Sequence, residues 1–485
     1  MQRALIDLAL VHRGCVPYLG ATHELGEPTM REPTAVLHPV ILLTFILLSG
    51  ARGEDLPPLR SGPMVGYGEM TEVLLWVQTT RAATVQYRCW PENDTASAML
   101  SVPVRTTLEE YYTAQALIAG LSPGRRYHYR LLIDGREVPV PQRLMFQTQP
   151  LWQWRTDPPE FTVACGSCLF VNDSIDDRPG DLYGGEYRIL EAIAAQEPDL
   201  MLWLGDNTYY READWTSVTR MNQRHAQTRE LAELQRLLGA THHYAIWDDH
   251  DFGPDNSDRA FNLRSEALEV FRRFWANRTY GTDEAKGVFG RFLWGDIEFF
   301  LLDDRYHRSP NDMREDSQKT MFGPEQLRWL KESLVSSRAP FKIVVNGNQM
   351  LVPNHFESFA NYTREYNDML TWLRLQRVEG VVFLSGDRHL TELNRLEMEG
   401  FYPLYDFTSS PLTSQPATRL PEEPRATRVE GTLVKDRRTF GMLRFDGPRT
   451  DRQLTMECYD AGGALVWTHR VAARELRMTA ARGNR

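Results

Sequence analysis

The chain has 485 residues, of which 42% are hydrophobic and 25% are charged. This length exceeds one average domain, and the composition is that of a globular protein with enough apolar residues for a large core. The formal net charge is -10, which argues against a protein that coats nucleic acid. It does not argue against a small anionic substrate, because bound metal ions can reverse the local field.

The first 53 residues predict an export signal. An apolar run, VLHPVILLTFILLSG at 36–50, is followed by small residues and then by polar sequence, which is the layout of a signal peptide and its cleavage site. Because a signal peptide does not need the residues before Met30, we expect 1–53 to combine an over-extended start with a signal peptide. The expected location is periplasmic or extracellular, and a membrane anchor is the alternative, although the run is short for a span.

Residues 54–150 predict a small all-β, immunoglobulin-like sandwich. Short segments alternate apolar and polar residues or are rich in β-branched and aromatic residues, which is typical of strands. These segments are EVLLWVQT, ATVQYRCW, RYHYRLLID and RLMFQTQ. Turn signals such as LSPGRR and DGRE separate them, and no convincing helical period interrupts the series.

From Phe161 onwards, strand-like runs alternate with helical stretches, which predicts a mixed α/β domain over 151–475 and a tail at 476–485. The six strand-like runs are EFTVACGSC, DLMLWLGDN, HHYAIWDDHD, DIEFFLLDDRYHR, FKIVVNGNQ and GVVFLSGDRH. Segments such as GPEQLRWLKESL place apolar residues at three- and four-residue spacing, which predicts helices. After about residue 430 the pattern returns to strands.

Five of these six runs end in side chains that can bind metal ions. Ligands that follow strands of one sheet can converge at one edge of that sheet, and a hydrophobic core has no use for such residues. The sequence therefore predicts a metal centre at this edge. The side chains are those of Cys168, Asp206, Tyr209, Asp249, His250, Asp251, Asn348, Asp387 and His389.

The residue types predict two different ions. A thiolate and a phenolate, from Cys168 and Tyr209, suit a redox-capable or highly charged ion such as Fe3+. The oxygen donors Asp249, Asn348 and Asp387 suit a harder divalent ion such as Ca2+, Mg2+ or Mn2+. A mixed pair of ions is therefore expected.

The Asp206 carboxylate can bridge such a pair of ions. Two metals about 3.5–4 Å apart can activate a water molecule and hold a phosphoryl group. His250, which lies next to a predicted ligand, can protonate the leaving oxygen. This chemistry predicts a phosphoric ester hydrolase acting on a small phosphoester.

The ordered motifs resemble the alkaline phosphatase D (PhoD-like) family of calcineurin-like metallophosphoesterases. The resemblance covers about 54–475 and implies a two-sheet α/β metallophosphoesterase sandwich, preceded by the immunoglobulin-like domain. The activity that it implies is that of an exported phosphatase or phosphodiesterase. The matching segments are GSC (166–168), LGDNTYY (204–210), WDDHDFGP (247–254), LDDRYHR (302–308), FGPEQLRWL (322–330), NGNQ (346–349) and LSGDRHLTEL (384–393).

The same resemblance implies a ligand set, position by position. The ligands that it implies for a ferric ion are Cys168, Asp206, Tyr209 and His389. The ligands that it implies for a second ion, bridged by Asp206, are Asp249, Asn348 and Asp387. The second ion is expected to be Ca2+, with Mn2+ or Mg2+ as alternatives.

Arg305 and Arg308 occupy a position where the resemblance implies a guanidinium that binds phosphate oxygens through a two-pronged contact. The chain departs from the family pattern in two segments. Asp304 stands where a small polar residue is common. The segment DFGPDNSD is richer in acid than usual, so it offers further candidates for calcium, namely Asp251, Asp255 and Asn256.

Several neighbouring residues have a structural explanation instead. Cys165 is expected to be a buried thiol at a strand end, and Asp248 a structural or capping carboxylate. The charged residues over 212–236 are expected to form a solvated helix face. The sequence leaves open the choices between Tyr209 and Tyr210 and among Asn346, Asn348 and Gln349, and the roles of His307 and His355.

Two other functions compete with hydrolysis. A calcium-dependent binding or surface module could use the acidic segment 248–258, but it has no need of a thiolate and a phenolate. A thiol oxidoreductase could use CGSC, but that motif leads into a polar loop and not into a helix. The sequence predicts neither the physiological substrate nor the oligomeric state.

Overall fold

The structure, a computed structural model, describes residues 57–353, 357–419 and 426–478. The predicted signal region at 1–53 and His355 lie outside the described residues, and so do residues 479–485 of the predicted tail. Within the described ranges, no helix is both long enough and apolar enough to cross a membrane.

The first nine strands include the four that the sequence predicts before residue 150. Ala83, Val85, Tyr87 and Cys89 are buried while the residues between them are wholly or partly exposed, as expected for a strand with one face on a core. The strands are β1 (Leu59–Gly68), β2 (Glu72–Thr79), β3 (Ala83–Pro91), β4 (Met99–Leu100), β5 (Val104–Thr106), β6 (Thr113–Ala119), β7 (Arg126–Ile133), β8 (Arg136–Glu137) and β9 (Met145–Gln147).

The rest of the described chain mixes strands and helices up to residue 375, and six strands follow. The strands are β10 (Phe161–Gly166), β11 (Leu200–Leu204), β12 (His242–Ile246), β13 (Gly290–Trp294), β14 (Ile297–Leu301), β15 (Lys342–Val345), β16 (Val381–Ser385), β17 (Glu392–Leu396), β18 (Leu404–Thr408), β19 (Thr439–Asp446), β20 (Gln453–Asp460) and β21 (Leu465–Ala472). The helices are α1 (Arg188–Ala195), α2 (Val218–Arg229), α3 (Ala232–Ala240), α4 (Asp249–Phe252), α5 (Arg264–Phe274), α6 (Pro324–Ser336) and α7 (Thr363–Leu375).

Three sheets, one of nine strands and two of six, organise these strands. The nine-stranded sheet has the order β21-β20-β19-β10-β11-β12-β1-β2-β6, and a six-stranded sheet has the order β13-β14-β15-β16-β18-β17. The α/β fold class with two large sheets is therefore confirmed. The third sheet, β4-β3-β7-β8, belongs to the N-terminal strands.

The nine-stranded sheet crosses the predicted domain boundary at residue 150. β1 pairs in parallel with β12, through Val65 and His242, so β1, β2 and β6 extend the sheet that contains β10, β11 and β12. No local pattern signals this pairing, because β1 and β12 are far apart in the chain. The division at 150 and 151 stays a prediction.

One hydrophobic core joins the two large sheets. It contains residues of both, such as Leu202 of β11 and Val344 of β15, and also the buried faces of helices, such as Ile193 of α1 and Leu373 of α7. All five residues of β11 are buried, as is typical of a parallel strand covered on both faces. The N-terminal strands enclose a separate cluster.

The polar residues that follow the parallel strands therefore stand at the edge of this core. β10, β11 and β12 are parallel neighbours in one sheet, and β14, β15 and β16 in the other. Cys168, Asp206, Asp249, Asn348 and Asp387 all lie within three residues of the carboxyl ends of their strands. The fold thus brings predicted ligands from both sheets to one end of the molecule.

The expectation that the charges over 212–236 form a solvated face was wrong for Arg224. This guanidinium is buried, and it pairs with Asp173 at 2.8 Å, Asp176 at 2.8 Å and Asp214 at 2.9 Å. Carboxylates from the loop after β10 compensate the buried charge. Charge patterning along a helix does not reveal such partners from distant segments.

Candidate metal centre

Four of the predicted ligands have an unusual backbone conformation. The φ angles of Cys168, Asp206, Asp387 and His389 are 62°, 52°, 67° and 52°, in the left-handed region that non-glycine residues rarely adopt. Each such residue costs about 1 kcal/mol or more, and persists where the surroundings impose it. Strain at four predicted ligands is typical of a functional site.

We call Cys168, Asp206, Tyr209 and His389 the thiol subsite. Cys168 Sγ lies 3.5 Å from Asp206 Oδ2, and the Tyr209 hydroxyl donates to the same oxygen at 3.2 Å. His389 Nε2 lies 3.2 Å from the Tyr209 hydroxyl. Ligand atoms of Cys168, Asp206 and His389 all lie within 4.8 Å of one another. The structure therefore brings together all four residues predicted for the ferric ion.

The surroundings of the thiol subsite orient two of its donors. His389 Nδ1 faces the Gln415 carbonyl oxygen at 2.8 Å, so we assign it as the protonated nitrogen. This leaves the Nε2 lone pair directed at the subsite, which is the usual arrangement for a metal-binding histidine. Cys168 Sγ accepts a hydrogen bond from the Ser410 hydroxyl at 3.1 Å, and the Ser167 hydroxyl lies 3.3 Å away. Both nitrogen and sulfur are thus prepared to act as ligands.

Further carboxylates surround the other side of Asp206. Asp206 forms one group of possible ligands with Asp249 and His250, and another with Asp248 and Asp387, with ligand atoms within 4.8 Å in each group. Asp206 also belongs to the group with Cys168, so it lies between the two sets. We call Asp206, Asp248, Asp249, Asn348 and Asp387 the carboxylate subsite.

Asp248 has the structural role expected from the sequence, and it also lies at a position that the sequence did not predict. It is the N-cap residue of α4, and it is also within reach of a metal ion together with Asp206 and Asp387. The only available sequence signal was the doubled aspartate before His250. That signal could not show which of Asp248 and Asp249 faces the other predicted ligands.

Asn348 is the amide that contacts the carboxylate subsite. Its Nδ2 donates to Asp248 Oδ2 at 3.1 Å, and its backbone N–H donates to Asp304 at 3.0 Å. The competing residues have other contacts, since Asn346 donates to the Asn348 carbonyl and Gln349 donates to Glu392. Asp304, a departure from the family pattern, therefore helps to fix the Asn348 loop.

Arg305 and Arg308 are not placed as the sequence predicted. Both are fully buried. Arg305 Nε donates to Asp248 Oδ1 at 2.6 Å, and its Nη2 pairs with Glu357. Arg308 donates to Asn348 Oδ1 at 2.5 Å. Instead of presenting an open fork to a phosphate, these guanidinium groups bind the protein's own acceptors. Glu357 carries no motif, so sequence reasoning missed it.

His250 stands at the solvent edge of the centre. Its imidazole stacks on the Tyr209 ring with centroids 4.1 Å apart, and about a quarter of its side chain (24%) is exposed. Nε2 lies 3.6 Å from Asp255 Oδ1, and the backbone N–H donates to Asp206 Oδ1 at 3.2 Å. A proton donor or acceptor is thus placed beside the ligands but still open to water.

The acidic segment after His250 supports the ligands in different ways. Asp251 accepts hydrogen bonds from the backbone N–H groups of Asp248 at 2.7 Å and Asp206 at 3.2 Å. Both of its oxygens are occupied, because Asn207 donates to the other one. Asn256 donates its backbone N–H to Asp249 at 2.6 Å. Asp251 therefore ties two ligand loops together, and Asn256 contributes its backbone N–H. Their role as calcium ligands stays a prediction.

Other residues left open by the sequence lie away from the centre. Tyr210 contacts His225 through its hydroxyl at 3.1 Å, which leaves Tyr209 as the tyrosine of the thiol subsite. His307 Nε2 contacts the Lys286 carbonyl at 2.8 Å. Cys165 is a buried free thiol, as expected, and burial raises its pKa to about 12. A thiol with a raised pKa is a poor nucleophile.

Electrostatics at the centre favours a cation. Burial, together with repulsion from Asp249 and Cys168, raises the pKa of Asp206 well above its ordinary value. Burial and repulsion from Asp249 likewise raise the pKa of Asp387 to about 8, and burial raises the pKa of Cys168 to about 12. These negative groups oppose one another's ionisation, and a multivalent cation reverses that effect. The donor set therefore fits bound metal ions.

Two family models match segments of this chain. A family model described as PhoD-like phosphatase matches residues 164–448, and a model for a domain of unknown function matches residues 56–151. Alkaline phosphatase D of Bacillus subtilis (strain 168) is 23% identical over 331 residues, covering 58% of this chain and 54% of that protein. The chain thus spans about half the length of this relative.

Two solved structures share the fold. A structure of PhoD superposes with a TM-score of 0.68 at 18% identity and covers 88% of this chain and 93% of its own. A purple acid phosphatase from yellow lupin (Lupinus luteus) seeds superposes with a TM-score of 0.61 at 13% identity, covering 85% of this chain and 75% of its own. At these identities the likeness establishes the fold alone.

Proposed function

The chain belongs to the PhoD-like phosphatase family, and from this premise we propose that it is an exported, metal-dependent phosphoesterase that hydrolyses phosphate monoesters, diesters or both. The observation that carries the proposal is the convergence of a thiol, a phenol, an imidazole and several carboxylates around Asp206. Export rests on the signal region at 1–53, which lies outside the described residues.

Two ions of different character match the two subsites. The thiol subsite offers the donors that suit Fe3+, and the carboxylate subsite offers oxygen donors that suit Ca2+, with Mn2+ or Mg2+ as alternatives. Asp206 belongs to both subsites. When bound, the two ions supply positive charge for phosphoryl oxygens and lower the pKa of a water molecule.

The residues around the ligands position them for this chemistry. Asp251 ties the backbone of the Asp206 loop to that of the Asp248 loop. Arg305 and Arg308 hold Asp248 and Asn348 from the buried side. We therefore propose these arginines as positioning residues and not as phosphate ligands.

His250 is the proposed general acid. It lies next to Asp249, contacts Asp206 through its backbone, and keeps part of its imidazole open to solvent. The neighbouring Asp255 carboxylate lies 3.6 Å from Nε2. A leaving alkoxide or phenoxide that departs towards the solvent edge can take up the proton there.

The test is the release of nitrophenol from 4-nitrophenyl phosphate and from bis(4-nitrophenyl) phosphate by the purified chain supplied with iron and calcium. We expect hydrolysis that a chelator abolishes and that added metal restores, and the ratio of the two rates defines the preference for mono- or diesters. Folded, metal-loaded protein without any hydrolysis contradicts the proposal. Calcium binding without iron binding in that case indicates a calcium-dependent binding module instead.

A further inference from the structure

The segment 171–187, which links β10 to α1, passes beside the thiol subsite and is fixed at its base. Arg224 pairs with Asp173 and Asp176, each at 2.8 Å, and Arg211 pairs with Asp177 at 2.7 Å. These arginines are buried. Because buried ion pairs hold the first half of the segment, the residues that follow have a defined position relative to the centre.

Tyr183, in the second half of this segment, lies beside His389 and Tyr209 of the thiol subsite. Its hydroxyl lies 3.3 Å from His389 Nδ1, and its ring meets the Phe170 ring edge-on, with centroids 4.8 Å apart. The Tyr209 ring centroid is 6.5 Å away. Even so, 38% of Tyr183 remains exposed, and the adjacent Leu182 is 74% exposed. Apolar surface is therefore presented to solvent beside a charged centre.

Tyr183 and His250 both pack against the Tyr209 ring, and both are partly exposed. Together they form the aromatic border of the metal centre. A phosphoryl group needs the charged centre, whereas the alcohol part of an ester has to extend past this border. An aromatic ring and an exposed leucine gain free energy from burial when the group beside them is apolar.

Resting on the proposed phosphoesterase function, we propose that Tyr183 is a specificity-determining residue that contacts the alcohol part of the ester. With Leu182 at its side, it favours phosphate esters of aromatic or apolar alcohols over esters of polar alcohols. The competing explanation is that Tyr183 only orients His389. That role already belongs to Gln415, whose carbonyl faces Nδ1 at 2.8 Å, closer than the Tyr183 hydroxyl.

The kinetic test compares benzyl phosphate with 2-hydroxyethyl phosphate, whose leaving alcohols are of similar acidity. We expect Tyr183→Ala to lower kcat/KM for benzyl phosphate about 5-fold, mainly through KM, and to change the hydroxyethyl ester less than about 2-fold. We expect Tyr183→Phe to keep the wild-type ratio of the kcat/KM values for the two esters. Equal losses on both esters overturn the inference, and so does a Tyr183→Phe variant that behaves like the alanine variant. Trp154→Ala, at an aromatic residue that is 93% exposed, is the control and is expected to keep the ratio.

A binding measurement separates this inference from the proposed function. Calorimetry measures the affinity of the metal-loaded chain for benzylphosphonate and for 2-hydroxyethylphosphonate, neither of which needs to be hydrolysed. We expect the wild type to bind the benzyl compound more tightly and Tyr183→Ala to lose this preference. Tighter binding of the benzyl compound by a protein that hydrolyses neither ester contradicts the proposed hydrolase but supports the role of Tyr183. Turnover without a preference supports the hydrolase and overturns the role of Tyr183.

Discussion

The two subsites of the metal centre differ in the groups that the protein places around their donors. In the carboxylate subsite, Asp248 meets the Arg305 guanidinium and Asn348 meets the Arg308 guanidinium. In the thiol subsite, Cys168 meets the hydroxyl of Ser410. Fixed positive charge thus supports the carboxylate subsite, whereas neutral hydrogen-bond donors support the thiol subsite.

The pKa of Asp249 follows this difference, whereas burial raises the pKa of Asp248 even though Arg305 lies beside it. Burial opposes the ionisation of Asp249, but His250 and Arg305 together lower its pKa below the ordinary value. Burial raises the pKa of Cys168 to about 12, and the hydroxyls of Ser167 and Ser410 only partly oppose that rise. The carboxylate subsite should therefore depend on its arginines for folding, and the thiol subsite on its ion for ionisation of the thiol.

Replacing Asp206, the ligand that the two subsites share, should impair metal binding in both subsites. Asp206→Asn takes a carboxylate from both subsites, so we expect both ions to bind weakly and hydrolysis to fall by about 1000-fold or more. The measurements are nitrophenyl ester hydrolysis and the metal content of the purified protein. Asp283→Asn, at an exposed carboxylate, should keep wild-type values. An Asp206→Asn protein with normal metal content and activity would show that Asp206 is not shared.

Removing one arginine should destabilise the fold through the carboxylate subsite. Arg305→Met leaves the buried Asp248 carboxylate without its guanidinium partner, and leaves Glu357 paired with Arg308 alone. Breaking a buried ion pair in this way costs about 3–5 kcal/mol. The measurement is the free energy of unfolding in urea. Arg178→Met, which removes an ion pair whose arginine is 84% exposed, should cost about 1 kcal/mol or less. Similar losses in the two variants would contradict the proposed division.

Single-ligand variants should separate the two ions. Cys168→Ser replaces a thiolate by a weak hydroxyl donor, so we expect iron binding to weaken about 100-fold or more while calcium binding persists. Asp249→Asn should have the opposite effect. The measurements are metal titrations of each variant. Cys89→Ser, in the separate N-terminal core, controls for the loss of a buried thiol. Loss of both ions in both variants would indicate one cooperative site.

The sequence predicted the candidate metal ligands better than it predicted the residues that hold these ligands in place. Cys168, Asp206 and Asp387 follow apolar strands, and strand ends converge in any parallel sheet, so position along the chain was sufficient. The partners of Arg305 were not predictable, because Glu357 comes from a segment without a motif. The same limit applies to the fold, in which strand-like runs such as those of β2 and β11 were predicted but the pairing of β1 with β12 was not. Long-range partners depend on packing that local patterns do not encode.

The smallest expected effect concerns the hydroxyl that supports the thiol subsite. Ser410 donates to Cys168 Sγ at 3.1 Å, and such a hydrogen bond favours the charged thiolate. Ser410→Ala should therefore weaken iron binding about 10-fold, in the range typical of groups that support a ligand, and should leave calcium binding unchanged. Competition with a chelator measures both affinities, and Ser336→Ala, on the exposed end of α6, is the control. A loss of calcium affinity, or no change in iron affinity, would show that the two subsites are not supported separately.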